Sequence, residues 1–163
     1  MKKTKILIAD DNENILSSLR IQLLVYGYEV VTCSNADLAV AYAQKHRPDV
    51  MVADIWMDPD RHIILSPTGN GFGLLERISK FPETRGIPII YITGNNSAQL
   101  DVMAKQLGAY GLIHKPINFS ALLEMIDSAV KDSSPCSGAL PDAEDNRVFK
   151  ISATAEVSKI SEV

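Results

Sequence analysis

Several residue types that would narrow the chemistry are scarce in this chain. Its 163 residues include two cysteines, one tryptophan and an aromatic share of only 6%. Cys33 and Cys136 lie far apart and lack metal-ligand spacing. Cys33 falls in a strand-like run and reads as a buried thiol, while Cys136 lies in a polar stretch; a reducing cytoplasm is the expected setting. No apolar run approaches the roughly 18 residues of a membrane span, so no membrane partner is expected. Met1-Lys2-Lys3-Thr4 is basic, but the apolar stretch after it stops at Asp10. That is too short for a signal peptide, and no cleavage site follows. Positive charge is in deficit as well: 16 Lys and Arg stand against 20 Asp and Glu, a formal net charge of -4. A nucleic-acid footprint would need a clustered basic face, so none is expected. What remains, 46% hydrophobic and 22% charged, is ordinary for one soluble globular domain with a proper core.

Against that background, four short apolar runs each end in a reactive polar residue. Ile6-Leu7-Ile8-Ala9 leads into Asp10-Asp11, and Val50-Met51-Val52-Ala53 into Asp54. Ile89-Ile90-Tyr91-Ile92 leads into Thr93, and Leu112-Ile113-His114 into Lys115-Pro116. Continuous apolar runs of this length read as strands buried on both faces, as in a parallel sheet covered by helices. Ligands of open parallel sheets bind beyond the carboxyl ends of the strands. Three carboxylates, a hydroxyl and an ammonium are therefore expected at one edge.

Strand and helix patterns alternate from Lys5 to about Lys131. Ile15, Leu16, Leu19 and Leu23 form a helical stripe that Asp11 or Asn12 is placed to cap, and Gly27 ends it. Tyr28 to Cys33 reads as a strand. Asn35 caps an Ala-rich helix through about His46, which Pro48 stops. Asn70-Gly71 opens a helix with Leu74, Leu75 and Ile78 inward. Ile87 to Ile92 is a strand with Pro88 near its start. Asn96 and Gln99 resemble a capping box for a fourth helix that Gly108 closes. Asn118 caps a last helix bearing Leu122, Leu123, Ile126 and Val130. Five βα units follow: an α/β fold, a doubly wound (βα)5 parallel five-stranded sheet with helices on both faces. Residues 1–131 form this domain. Residues 132–163 read as a linker and tail with weak apolar alternation from Val148 to Val163 and too little bulk for a core. A disordered tail is preferred to a segment that pairs with a sheet edge or partner, or the stub of a longer chain.

Taken alone, each polar residue has a plain explanation. Asp10-Asp11 suits helix capping, worth about 0.5–2 kcal/mol. Lys115 suits an ordinary surface lysine, and Thr93 suits strand-end turn chemistry. Together the balance reverses. Three packed carboxylates raise one another's pKa unless a hard cation such as Mg²⁺ joins them. Lys115 then supplies a fixed positive charge, Thr93 beside Gly94 a hydroxyl, and Asp54 a nucleophile for phosphorus.

These residues resemble those of the response-regulator receiver domain of two-component signalling, a flavodoxin-like fold. The resemblance spans residues 4 to about 131. It rests on Ile8-Ala9-Asp10-Asp11-Asn12, Asp54-Ile55-Trp56-Met57, Thr93-Gly94 and Lys115-Pro116, each at a strand end and in order. It implies a phosphorylation-dependent response regulator in which Asp54 accepts a phosphoryl group from a sensor histidine kinase or histidine phosphotransfer protein. It implies Mg²⁺ held by Asp11, Asp54 and the main-chain carbonyl of Trp56, with Asp10 acting through water. Thr93 and Lys115 would hold the phosphoryl oxygens, and the Lys115-Pro116 bond would be cis. Sheet order 2-1-3-4-5 is implied, with the site where the first and third strands part. Output would pass to a downstream protein effector, or through a homodimer, by the face of the fourth helix, fifth strand and fifth helix. Such a domain is a switch that assists its own phosphorylation and dephosphorylation, not an enzyme acting on a separate substrate.

Three departures from the family pattern stand out. About nine extra residues separate Met57 from Gly71, placing an inserted loop at 58–70; it reads equally as a solvated excursion or as a cover or docking surface anchored by Ile63-Ile64-Leu65. Many relatives carry an aromatic residue three places before the lysine that swings inward as the threonine moves, whereas Leu112 stands here as the switch position beside Thr93. Trp56, two residues past Asp54, is placed to shield an acyl phosphate from water. Two other functions compete. One is an aspartate-nucleophile phosphohydrolase, for which Asp54-Ile55-Trp56 lacks the second acid; the other is a receiver-like interaction module that is never phosphorylated. His46, His62 and His114 have no evident partner for metal or nucleophilic work, and His114 reads as a packed or surface residue.

Overall fold

Apolar residues at every position of a strand need cover on both sides, and the fold supplies it by alternation. The computed structural model describes residues 2–55, 57, 72–133 and 150–152, the last three through their backbone. The elements run β1 (Lys5–Ala9), α1 (Glu13–Val25), β2 (Glu29–Cys33), α2 (Ala36–His46), β3 (Val50–Asp54) and α3 (Gly73–Ser79). They continue with β4 (Ile89–Thr93), α4 (Ala98–Leu107), β5 (Gly111–His114), α5 (Phe119–Ser133) and β6 (Lys150–Ser152). Leu7, Met51, Tyr91 and Leu112 pack with α2, α3 and α4 on one face. Their strand neighbours Ile6, Val52, Ile90 and Ile113 pack with α1 and α5 on the other. This period of two divides one apolar sequence between two cores. Replacing a fully buried Ile or Leu in either core by Ala would cost about 2–5 kcal/mol.

Among the described residues all strand pairings are parallel, and the expected order 2-1-3-4-5 holds for the first five strands. The sheet does not stop there. β6, inside the stretch read as linker and tail, pairs parallel with β5 and extends the order to 2-1-3-4-5-6. For Lys150–Ser152 this corrects the preferred reading of a disordered tail in favour of the edge-pairing alternative, which only long-range pairing could select.

Local capping follows the sequence closely, with one correction. Asn12 caps α1 by accepting from the Asn14 and Ile15 N–H groups, and Asn35 caps α2 by accepting from Leu38 N–H. The α4 cap is Ser97, not Asn96: its side chain accepts from Gln99 N–H at 3.2 Å. Asn95 in turn accepts from Ser97 N–H at 2.9 Å, so a run of short polar side chains shifts the start by one residue. Gly108 closes α4 at φ +90, a left-handed conformation that favours glycine. The Asn70-Gly71 start expected for α3, the 58–70 insertion, Trp56, His62 and Cys136 lie outside the described residues. Cys33 is buried as expected, and burial pushes its thiol up to about 11.

Candidate functional site

Parallel strands of similar length end together, so the residues just past β1, β3, β4 and β5 share one edge of the sheet. Asp10 is held in register by its N–H donating to Cys33 O at 3.1 Å. Asp54 closes β3, and Ile55 N–H continues the ladder to Ile92 O. Thr93 closes β4, and Lys115 N–H donates to Thr93 O at 2.7 Å, which sets Lys115 beside that strand end. The Lys115-Pro116 bond is cis, as the resemblance implied.

The side chains converge. One carboxylate oxygen from each of Asp10, Asp11 and Asp54 lies within 4.8 Å of the others. Asp10 and Asp54 are buried and Asp11 is exposed, so the cluster opens to solvent on the Asp11 side. Lys115 Nζ stands 3.2 Å from Asp54 Oδ2 and 3.8 Å from Asp10 Oδ2. Its stem passes Gly94, where an added Cβ would meet Lys115 Cδ at 3.9 Å, ordinary contact. Thr93 is fully buried, and its Oγ1 accepts from Asn95 N–H at 3.0 Å. Leu112 is fully buried among the residues of the α2, α3 and α4 face.

Asp10 is the strained member of the cluster. Its Oδ1 accepts from Asn12 N–H at 2.8 Å, but its Oδ2 is buried without a hydrogen-bond partner. Its pKa is raised to about 6 from 3.8. Burial is the largest cause; the charges of Asp54 and Asp11 add to it, while Asn12 N–H and Lys115 oppose it. The expected mutual repulsion is present, and desolvation is the larger effect beside it. A buried carboxylate with one oxygen lacking a hydrogen bond, clustered with two more carboxylates and only 3.8 Å from the Lys115 ammonium, fits a site for a hard divalent cation. Octahedral magnesium keeps oxygens about 2.0–2.1 Å away and fills its shell with water. Oxygens within 4.8 Å of one another can share such a shell, directly or through one water.

One pairing that sequence reasoning did not find adjoins the site. His114 is buried, and its Nε2 lies 3.1 Å from Asp101 Oδ1 on α4. The partners are 13 residues apart on different elements, with no local signal to connect them. Among the described residues His46 contributes its carbonyl, which accepts from Lys5 Nζ at 3.1 Å, and a ring contact to Tyr42.

Comparison with known proteins places this geometry in context. A sequence model of the response regulator receiver domain matches residues 6–127. PilH of Pseudomonas aeruginosa is 31% identical over 126 residues, which is 77% of this chain and 97% of PilH. The crystal structure of a CheY-like receiver domain protein from Methanospirillum hungatei superposes with a TM-score of 0.68 at 29% identity, covering 81% of this chain and 97% of that one. CheY4 of Vibrio cholerae gives a TM-score of 0.68 at 28% identity, covering 78% and 99%. Other similar proteins are longer transcriptional regulators; the chain spans 28% of one and 52% of another.

Proposed function

The chain belongs to the response regulator receiver domain family, and on that footing we propose that it is a phosphorylation-controlled switch with Asp54 as its phosphoacceptor. The observation that carries this reading is Asp54 itself: a buried carboxylate at the end of the central strand β3, 3.2 Å from an ammonium and beside two more carboxylates. An Asp54 oxygen attacks the phosphorus of a phosphohistidine on a sensor kinase or phosphotransfer protein. The new P–O bond forms as the P–N bond breaks, and the imidazole nitrogen recovers a proton. Lys115 offsets negative charge on the transferred group, and the Thr93 hydroxyl donates to one of its oxygens. Asp11 and Asp54 would hold Mg²⁺ with the Trp56 carbonyl, and Asp10 through water; the bound ion supplies charge neutralisation for the carboxylates and the phosphoryl oxygens. Trp56 lies outside the described residues.

Phosphorylation then shifts an equilibrium between two surfaces, passing through Thr93 and Leu112 to the α4-β5-α5 face, where an effector or a second copy docks. Among the described residues no helix is long and apolar enough to cross a membrane, and a cytoplasmic setting forms part of this proposal. Incubation with acetyl phosphate and Mg²⁺ followed by intact-mass measurement tests it. The expected result is a single phosphate adduct that disappears in Asp54→Ala and without Mg²⁺. An unmodified chain, or steady turnover of a phosphomonoester, would count against it.

A further inference from the structure

In a five-stranded sheet of this order β5 is an outer strand, and an outer strand presents a row of unpaired N–H and C=O groups that invites another chain. Here that row is not left open. β6 lies along it with Gly111 opposite Lys150, Leu112 opposite Ile151 and Ile113 opposite Ser152.

Two features favour this pairing. The Tyr110 hydroxyl donates to Asp132 Oδ2 at 2.6 Å, fixing the last turn of α5 beside the residue that precedes Gly111. β6 begins at the same end, because Lys150 is the partner of Gly111. Residues 134–149 therefore join two points near one end of β5, and a segment tethered in this way competes for the edge at an effective concentration in the millimolar range. The second feature is compositional: Val148-Phe149-Lys150-Ile151-Ser152 is rich in strand formers and contains no glycine or proline.

We propose that residues 150–152 are an intramolecular plug of the β5 edge: the edge is a surface that accepts an extended strand, its own tail occupies it, and an external segment docks only when β6 is released. Leu112 packs with the α4 face and Ile113 with the α5 face, so the plug sits on the rim of the surface assigned above to partners. That β6 controls output rests on that assignment; the occupancy of the edge does not.

Amide hydrogen exchange on the full chain, wild type against the double variant Lys150→Pro/Ile151→Pro, tests the plug. Successive N–H groups of a strand point to opposite sides, so one of these two faces β5 and proline removes it; both substitutions lie outside residues 6–127. Those amides of Gly111–Ile113 that face β6 are expected to exchange about tenfold faster in the variant, while the ones that face β4, and the strands β1 and β3, stay unchanged as internal controls. A synthetic peptide of residues 146–157 should then shift the β5 amide resonances of the variant and leave those of the wild type in place. Equal exchange in both proteins, or a peptide response that fails to separate them, overturns the plug. A chain that passes both measurements yet takes no phosphate from acetyl phosphate would sink the switch and leave the plug standing.

Discussion

His114 Nε2 and Asp101 Oδ1 meet at 3.1 Å across the seam between β5 and α4, one residue before Lys115. The histidine side chain is 8% exposed and the aspartate 24%, and the other ring nitrogen, Nδ1, is buried without a partner. The pair therefore fastens α4 to the strand that delivers the lysine.

Removing either partner should have unequal effects. Asp101→Ala leaves a buried imidazole with both nitrogens unpaired and is expected to destabilise the fold by about 1–3 kcal/mol. His114→Leu exchanges the buried polar ring for apolar bulk and returns Asp101 to water, so its cost should be clearly smaller. Urea midpoints at neutral pH measure both. A costlier His114→Leu would show that shape, not the hydrogen bond, holds the seam.

Asp10 predicts an unusual pH profile in the absence of divalent cations. Its folded-state pKa of about 6 lies above its ordinary value of 3.8. Between these values the folded chain binds more protons than the unfolded one, so stability falls as pH rises through the window and levels off above it. The gap between these values corresponds to at most about 3 kcal/mol. Asp10→Asn should flatten this limb and raise the melting temperature at pH 7.5 without magnesium. Melting curves that descend equally in wild type and variant would assign the limb to other groups.

Lys115 is expected to act on the phosphoryl group more than on the fold. Its side chain is 28% exposed, so its contacts with Asp54 and Asp10 contribute modestly to stability. Lys115→Ala should slow labelling by acetyl phosphate on the order of 10²-fold, the scale of losing one preorganised charge at a reacting centre. Lys115→Arg should recover part of that rate. Intact-mass time courses, with urea midpoints alongside, separate chemistry from folding; unchanged labelling would remove Lys115 from the reaction.

Tyr91 has a second task beyond filling the core. Its hydroxyl accepts from Leu75 N–H at 3.1 Å, in the first turn of α3, whose own N-cap residue Phe72 makes no side-chain cap bond. The Phe72 and Tyr91 rings meet edge to face at 5.0 Å. Tyr91→Phe keeps the ring contact and strips the acceptor, so a loss of about 1–3 kcal/mol is expected, with faster exchange at Leu75. Retained protection at that amide would show another acceptor taking over.

Much of this protein was legible in the chain because the deciding interactions are short in sequence. Buried strands need unbroken apolar runs, helix starts need Asn12 and Asn35, helix ends need Gly27 and Gly108, and each signal lies within a few residues of its effect. The parallel βα rhythm then obliges the residues after Ala9, Ala53, Ile92 and His114 to share one sheet edge, which makes the site readable from the sequence. Boundaries were less secure: Ser97 displaced Asn96 because neighbouring polar side chains can each serve as a cap.

Tertiary structure decided what depends on distant partners or on the depth of burial. Mutual repulsion among the carboxylates was readable from their number, but the larger effect of desolvation on Asp10 required knowing how far it is buried. The His114–Asp101 pair joins elements that no periodicity relates. β6 needed a free edge to complete, and an edge exists only once five strands have assembled. Local propensity acts within a turn or a strand, whereas burial, dielectric and edge pairing belong to the folded whole.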